Sequence, residues 1–322
     1  MTEPSGKQLL DRHTIDEFVA EKLAPTVALL RELVDYGVDL INRCAQKGGS
    51  LADLVITAHF FKHAVTMLDA VEIQLSRGAV FSAGVSARSM LETYIYLAWI
   101  LETDTEARGR LFYVWHLRQK RVWARRAIPR TPEHDRFKNH ISTLSDMKDP
   151  TKRAALEKEV KRQDAEITAI LTNARNKAIN DDFDRLKKRH FDVAWYTPAG
   201  PYSIGDMAKR LKLEAEYDFF YSHFSDITHA GAFDKHVKFD GKAVVFEPIR
   251  SPEGIRTVVN VVATLAFRIF RLIIKKYFAQ DMQSFNETYV TKWRTRFLSV
   301  PEVIVKDKSR EDPQQTNADD KQ

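Results

Sequence analysis

A chain of 322 residues with 44% hydrophobic and 29% charged side chains is long enough to bury a substantial core and too apolar for general disorder. Cys44 is the only cysteine, which excludes an intramolecular disulfide and a cysteine-rich zinc site. A net charge of +6 permits a polyanionic partner such as RNA without requiring one, and only 12 Gly and 11 Pro favour long helices over many short strands.

The chain opens with Thr2, Glu3 and Pro4 and has no apolar run behind a basic start, so no secretory leader is expected. Thr14 and Glu17 have the spacing of a capping box and predict the start of a helix. After Pro25, Val27, Leu30, Val34, Val38 and Ile41 recur at intervals of three and four, the stripe of a long amphipathic helix that ends at Gly48-Gly49. Ser50 with Asp53 opens the next, running to about Arg77-Gly78, and a third covers roughly Val80 to Glu102. Thr103 with Glu106 reads as a second capping box, starting a helix that ends before Pro129.

Thr131-Pro132 and Asp149-Pro150 each predict a capped helix start with proline in the first turn. After Pro150, alternating Lys152, Arg153, Glu157, Lys158, Glu159, Lys161 and Arg162 predict a solvated surface laced with ion pairs. Pro198, Gly200 and Pro201 mark a loop, Ser203 with Asp206 restarts a short helix, and another spans about Glu214 to His229. His236 to Phe239 and Lys242 to Phe246, on either side of Asp240-Gly241, predict a β-hairpin with a two-residue turn. Ser251-Pro252 opens a long apolar helix, and a last one runs from about Asp281 to Leu298. The expected fold is all-α, a multi-helix bundle with one β-hairpin insertion at about 235–247. N-terminal helices occupy 1–49, the bundle domain 50–300, and a disordered tail 301–322.

Two segments are apolar enough to test as membrane spans, Val80 to Leu101 and Val258 to Ile274. The first carries Arg88 and Glu92 and the second Arg268 and Arg271, each costing roughly 2.5–3.5 kcal/mol at a bilayer centre. Both therefore read as buried helices, with the cytoplasm as the expected compartment and no membrane partner.

Arg88 and Glu92 lie one helical turn apart among Val80, Phe81, Val85, Met90, Leu91 and Tyr94. Charges in such a run need partners. They form either a buried ion pair that pins two helices or a cation and carboxylate held ready in a pocket. Tyr221, Ser225 and His229 recur every four residues and form a polar column on one helical face. That column is either a hydrogen-bonded seam in the core or the setting for His229 as a general acid or base.

The run Ala87-Arg88-Ser89-Met90-Leu91-Glu92, then Trp195, then Tyr221…Ser225…His229, resembles the bacterial family known as domain of unknown function five-six-seven-seven. Arg88, Glu92, Tyr221, Ser225 and His229 match its pattern, over a likeness spanning roughly His59 to Phe278. The family brings no established activity. A more distant similarity is to HEPN domains, helical bundles that include metal-independent ribonucleases with an Arg-x(4–6)-His motif; the spacing occurs at Arg110…His116 and Arg185…His190. That likeness implies Arg88 stabilising a phosphate, His229 moving a proton on a ribose hydroxyl, and Glu92 orienting one of them.

His59 and His63 could share a metal, but no third ligand is evident, so neither a metal nor a cofactor is expected. No P-loop, dinucleotide fingerprint or nucleophile elbow is present. Arg118, Arg121 and Arg125 form one stripe with Trp115, Lys120, Trp123 and Arg126 close by, suited to an RNA backbone and stacked bases. The alternative is a solvated face whose tryptophans point inward. Two functions follow: a stress or phage-defence effector that cleaves RNA without a metal, or a non-catalytic sensor or adaptor whose hairpin or last helices bind a partner or form a homodimer.

Overall fold

The computed structural model describes residues 9–141, 143, 149–188, 193–239 and 244–304. In chain order the helices are α1 (Arg12–Lys22), α2 (Ala24–Lys47), α3 (Leu51–Leu75), α4 (Val80–Glu102), α5 (Thr105–Arg125), α6 (Pro132–Ile141), α7 (Pro150–Thr172), α8 (Lys177–Lys187), α9 (Ile204–Arg210) and α10 (214–228). Strands β1 (Val237–Phe239) and β2 (Val244–Phe246) follow, then α11 (Ile255–Tyr277) and α12 (282–298). The fold is all-α with a hairpin insertion, as the sequence predicts.

Helix α4 is the axis of the fold. Its buried positions, among them Ala83, Ala87, Met90, Leu91, Ile95 and Ile100, fall on most of its circumference, the pattern of a helix covered on nearly all sides. It packs on α3, α11 and α10. Helix α11 supplies the other large apolar surface, with Ile255, Val259, Val262, Ala266, Ile273 and Ile274 fully buried. By length and composition alone, Leu51–Leu75 and Ile255–Tyr277 could cross a membrane; in the fold, 67% of the α11 window is buried. One core cluster runs from Val19 to Val300, so α1 and α2 share it with the rest of the bundle. A smaller cluster of Ala124, Ile128 and Val160 lies where α5 meets α7.

Local signals fixed several helix starts as expected. Ser50 and Asp53 form a true capping box, Asp149 accepts from Thr151 N at 2.8 Å, and Ser203 caps α9 through Asp206 N. Two others are corrected. Helix α1 begins at Arg12, because Asp11 is the N-cap and binds both the backbone N–H and the hydroxyl of Thr14. Helix α5 begins at Thr105 after Asp104 in a left-handed conformation (φ 47°), with no side-chain cap. Glu106, expected in that box, accepts instead from Ser50 Oγ.

The hairpin forms in another register from the expected one. A two-residue turn would set Phe239 opposite Lys242, whereas Phe239 pairs with Val244 and Val237 with Phe246. Apolar side chains face apolar side chains across the strands, and such pairs stabilise a sheet. The predicted Asp240-Gly241 turn lies outside the described residues. At the C-terminal end, Val300 is buried, Val303 packs on the core, and Glu302 pairs with Arg256 at 3.5 Å. Residues from 305 onward lie outside the described residues.

Candidate functional site

Helices α4 and α10 meet at Gly84. A Cβ there would lie 2.7 Å from Ile227 Cδ1 and 3.0 Å from Phe224 Cδ1, so any side chain at this position forces those neighbours to shift. One turn further along α4, Arg88 faces the polar column of α10. The two predicted segments therefore come together.

The contacts centre on the Arg88 guanidinium. Its Nε donates to Glu92 Oε1 at 3.1 Å, within the same helix face. Nη2 donates to the Tyr221 hydroxyl at 2.7 Å, and Nη1 donates to Ser225 Oγ at 3.3 Å. Nη1 also lies 3.3 Å from His229 Nε2. A guanidinium can only donate, so a hydrogen bond between them uses Nε2 as the acceptor and requires the Nδ1–H tautomer. The guanidinium carbon stands 4.4 Å from the Tyr221 ring centroid, a cation–π contact as well as a hydrogen bond. The Arg88 side chain is 13% exposed and that of Glu92 27%, while His229, at the end of α10, is exposed. The arrangement is a half-buried seam that opens to solvent at the imidazole.

Tyr217 belongs to the site although the sequence reading passed over it. It stacks on Tyr221 with centroids 4.5 Å apart and planes 20° apart. Its position four residues before Tyr221 continues the same column, and that spacing was the available signal. The pair bounds a π-helical turn, Tyr217–Tyr221, a feature that recurs at functional sites. Burial, then the neighbouring Tyr221, pushes the Tyr217 phenol above its ordinary value, against the pull of Arg88. Tyr96 is raised further, by burial first and then by Tyr196 and Glu92. Both phenols are thus held in their neutral, donating form. A second polar tie was also missed: Arg268 of α11 pairs with Glu216 of α10 at 2.8 Å, and an arginine inside so apolar a run was its signal.

The stripe of α5 points elsewhere. Arg118 binds Asn180 Oδ1 at 2.5 Å and Asp184 at 2.6 Å, Arg121 binds Asp164 at 3.0 Å, and Arg125 binds Glu133 at 3.2 Å. The three guanidiniums tie α5 to α8, α7 and α6. Trp115 packs against the core, but Trp123 is 65% exposed, with Arg126 stacked 3.7 Å over its ring. Lys161 and Arg162 make the predicted surface ion pairs with Glu157, Glu159 and Glu166.

The other candidates separate. His63 Nε2 lies 2.9 Å from Ser89 Oγ, whereas His59 packs against the Phe60 and Phe112 rings. Among the described residues no group of three or more His, Cys, Asp or Glu is placed to hold a metal ion. Arg110 reaches Asn176 while His116 stacks on Phe112, so that pair forms no common site. Arg185 pairs with Asp182 beside a cavity of about 230 Å³ that is also lined by Leu186, Thr197 and Pro198; His190 lies outside the described residues.

The family described as "Family of unknown function (DUF5677)" matches residues 54–243, a span that holds Arg88, Glu92, Tyr221, Ser225 and His229 together with the Gly84 crossing. No curated protein and no solved structure matches the chain.

Proposed function

The chain belongs to the family of unknown function DUF5677, and since that name carries no activity we propose one from the seam between α4 and α10: metal-independent cleavage of RNA. The observation that carries the reading is the 3.3 Å approach of a half-buried guanidinium to Nε2 of an exposed imidazole. As a bound phosphate takes over the Arg88 Nη1 donor, the freed lone pair of His229 Nε2 takes the proton of a ribose 2′-hydroxyl, and the 2′ oxygen bonds to the adjacent phosphorus. The bond to the 5′ oxygen breaks, that oxygen takes a proton from solvent, and a 2′,3′-cyclic phosphate remains. Arg88 supports the charge on the phosphoryl oxygens, and Glu92 holds Arg88 through Nε. Such an activity suits a stress or phage-defence effector in the bacterial cytoplasm.

The test is cleavage of end-labelled single-stranded RNA by purified protein in EDTA, with the product ends identified. Cyclic phosphate ends are expected, and His229→Ala is expected to lower the rate by about 10²–10⁴-fold, the usual contribution of a general base. Absence of cleavage, or an unchanged rate in His229→Ala, refutes the proposal.

A second reading has its own observation: Glu92, Tyr221, Ser225 and His229 already occupy most of the guanidinium's donors. In this reading the seam is a clamp that fixes α10 on α4 in a non-catalytic sensor or adaptor. Arg88→Ala then lowers stability by about 2–4 kcal/mol, because the partners lose a shared charged donor. His229→Ala changes nothing that a binding or cleavage assay reads.

A further inference from the structure

The hairpin turns an apolar face to solvent. Val237, Phe239, Val244 and Phe246 occupy directly opposed positions, and residues two apart on a strand share a face, so all four project to one side. Phe239, Val244 and Phe246 are 68%, 55% and 66% exposed. Phe233 extends the surface, its ring 6.3 Å from that of Phe239. The hairpin is anchored at its base, where the His236 ring meets Phe81 edge-on at 4.7 Å and Ile249 N donates to Leu9 O at 2.9 Å. Its two strands form a two-stranded sheet, so among the described residues each keeps one edge without a ladder partner.

A two-stranded hairpin is marginal in water unless a further strand or a packed face supports it. The exposed aromatic and valine surface amounts to roughly 400–500 Å², given about 200 Å² for a whole aromatic side chain. That is the size of patch that marks an interaction site, and it matches the fully buried centre of an interface covering about 800 Å² on each partner.

We propose that a second copy of this chain covers the patch, the two hairpins packing apolar face on apolar face about a twofold axis. The four side chains of the face are uncharged, and Lys238 between them projects to the opposite side and pairs with Glu247 at 3.0 Å. A polyanion therefore finds no counter-charge on the face itself. The terminal segments 1–8 and 305–322 offer only Met1, Val305 and Ala318 as apolar residues besides proline, too little for either terminus to match the patch. An uncharged apolar patch is complementary to its own copy, which is what an isologous interface demands.

Light scattering of the full chain during size exclusion at about 50 µM, where mass action favours a dimer, should give twice the 37.1 kDa chain mass. The Phe239→Ser/Phe246→Ser double variant should run at the single mass with an unchanged helical circular-dichroism spectrum. Phe239→Cys provides an independent readout, because Cys44 is the only native cysteine and is buried. Mild oxidation should link this variant into a dimer on a non-reducing gel. A wild-type monomer at that concentration overturns the proposal, as does a dimer that survives the double substitution. A monomer that pellets with lipid vesicles through the same phenylalanines would assign the face to a membrane instead.

Discussion

Arg88 meets four different partners, and that is why single substitutions around it should have unequal effects. Gly84 sets the distance over which Tyr221, Ser225 and His229 act. Gly84→Ala drives a methyl group into Ile227 and Phe224; overpacking of this kind costs about 1–3 kcal/mol, offset by up to about 1 kcal/mol from alanine's better helix propensity. A lowered urea midpoint with an unchanged m-value is the expected result; an unchanged midpoint would show that α10 has slack at the crossing. A second prediction concerns His59 and His116. Burial, helped by His63 and His116 for the first and by Lys120 for the second, holds both below the ordinary histidine value of 6.5. The unfolded chain therefore takes up their protons first, and stability falls as pH drops from that value toward the folded-state values. The urea midpoint should decline on going from about pH 7 to about pH 5, and His59→Gln/His116→Gln should flatten the decline. An equally steep decline in the double variant would place its origin elsewhere.

Among the elements, the start of α3 and the end of α11 hold each other. Asp53 caps its own helix through Ser50 and accepts from the Tyr277 hydroxyl at 2.8 Å. Burial tends to raise the Asp53 carboxyl, but the Ser50 backbone N–H and the Tyr277 hydroxyl outweigh it and leave the pKa below 3.8. With a depressed folded-state pKa, the stability this group adds is present above the ordinary carboxylate range and is lost as pH falls through the folded value. Tyr277→Phe should cost about 1 kcal/mol at neutral pH and a smaller amount in acid, where Asp53 protonates. A cost that stays constant with pH would contradict the linkage. The caps at Ser50, Asp149 and Ser203 were legible because a cap is settled within four residues. Thr14 lost its place to Asp11, a stronger acceptor that no spacing rule ranks above it. The hairpin register depends on which apolar pairs meet across the strands, and a turn dipeptide does not encode that. For Arg118, Arg121 and Arg125 the stripe was legible in the spacing but its partners were not, since a helical face carries no sign of the neighbour that will meet it. The column Tyr221, Ser225 and His229 was readable because its periodicity is local; that it would meet Arg88 was a matter of tertiary packing.

At the scale of the molecule, the family match stops at 243, before α11, yet α11 packs along α4 and is among the most buried helices of the fold. A fragment of residues 54–243 should therefore be insoluble or molten, binding a hydrophobic dye and lacking a cooperative melt. A sharp two-state transition in that fragment would refute this. The ends of the chain are also pinned together. Trp293 of α12 meets Tyr36 of α2 at 5.1 Å, Phe285 lies 5.9 Å from the same ring, Arg43 pairs with Asp281, and Arg296 pairs with Glu32 at 2.8 Å. Trp293→Ala should cost about 3–5 kcal/mol, read as a fall in melting temperature.

That closure has a consequence for synthesis. The Arg43–Asp281 and Glu32–Arg296 pairs join positions 238 and 264 residues apart. A ribosome takes on the order of tens of seconds to translate such a stretch. Through that interval Tyr36 has left the exit tunnel without Phe270, Phe285 and Trp293 to lie against, so the apolar face of α2 stays uncovered at that end until the last turns are released.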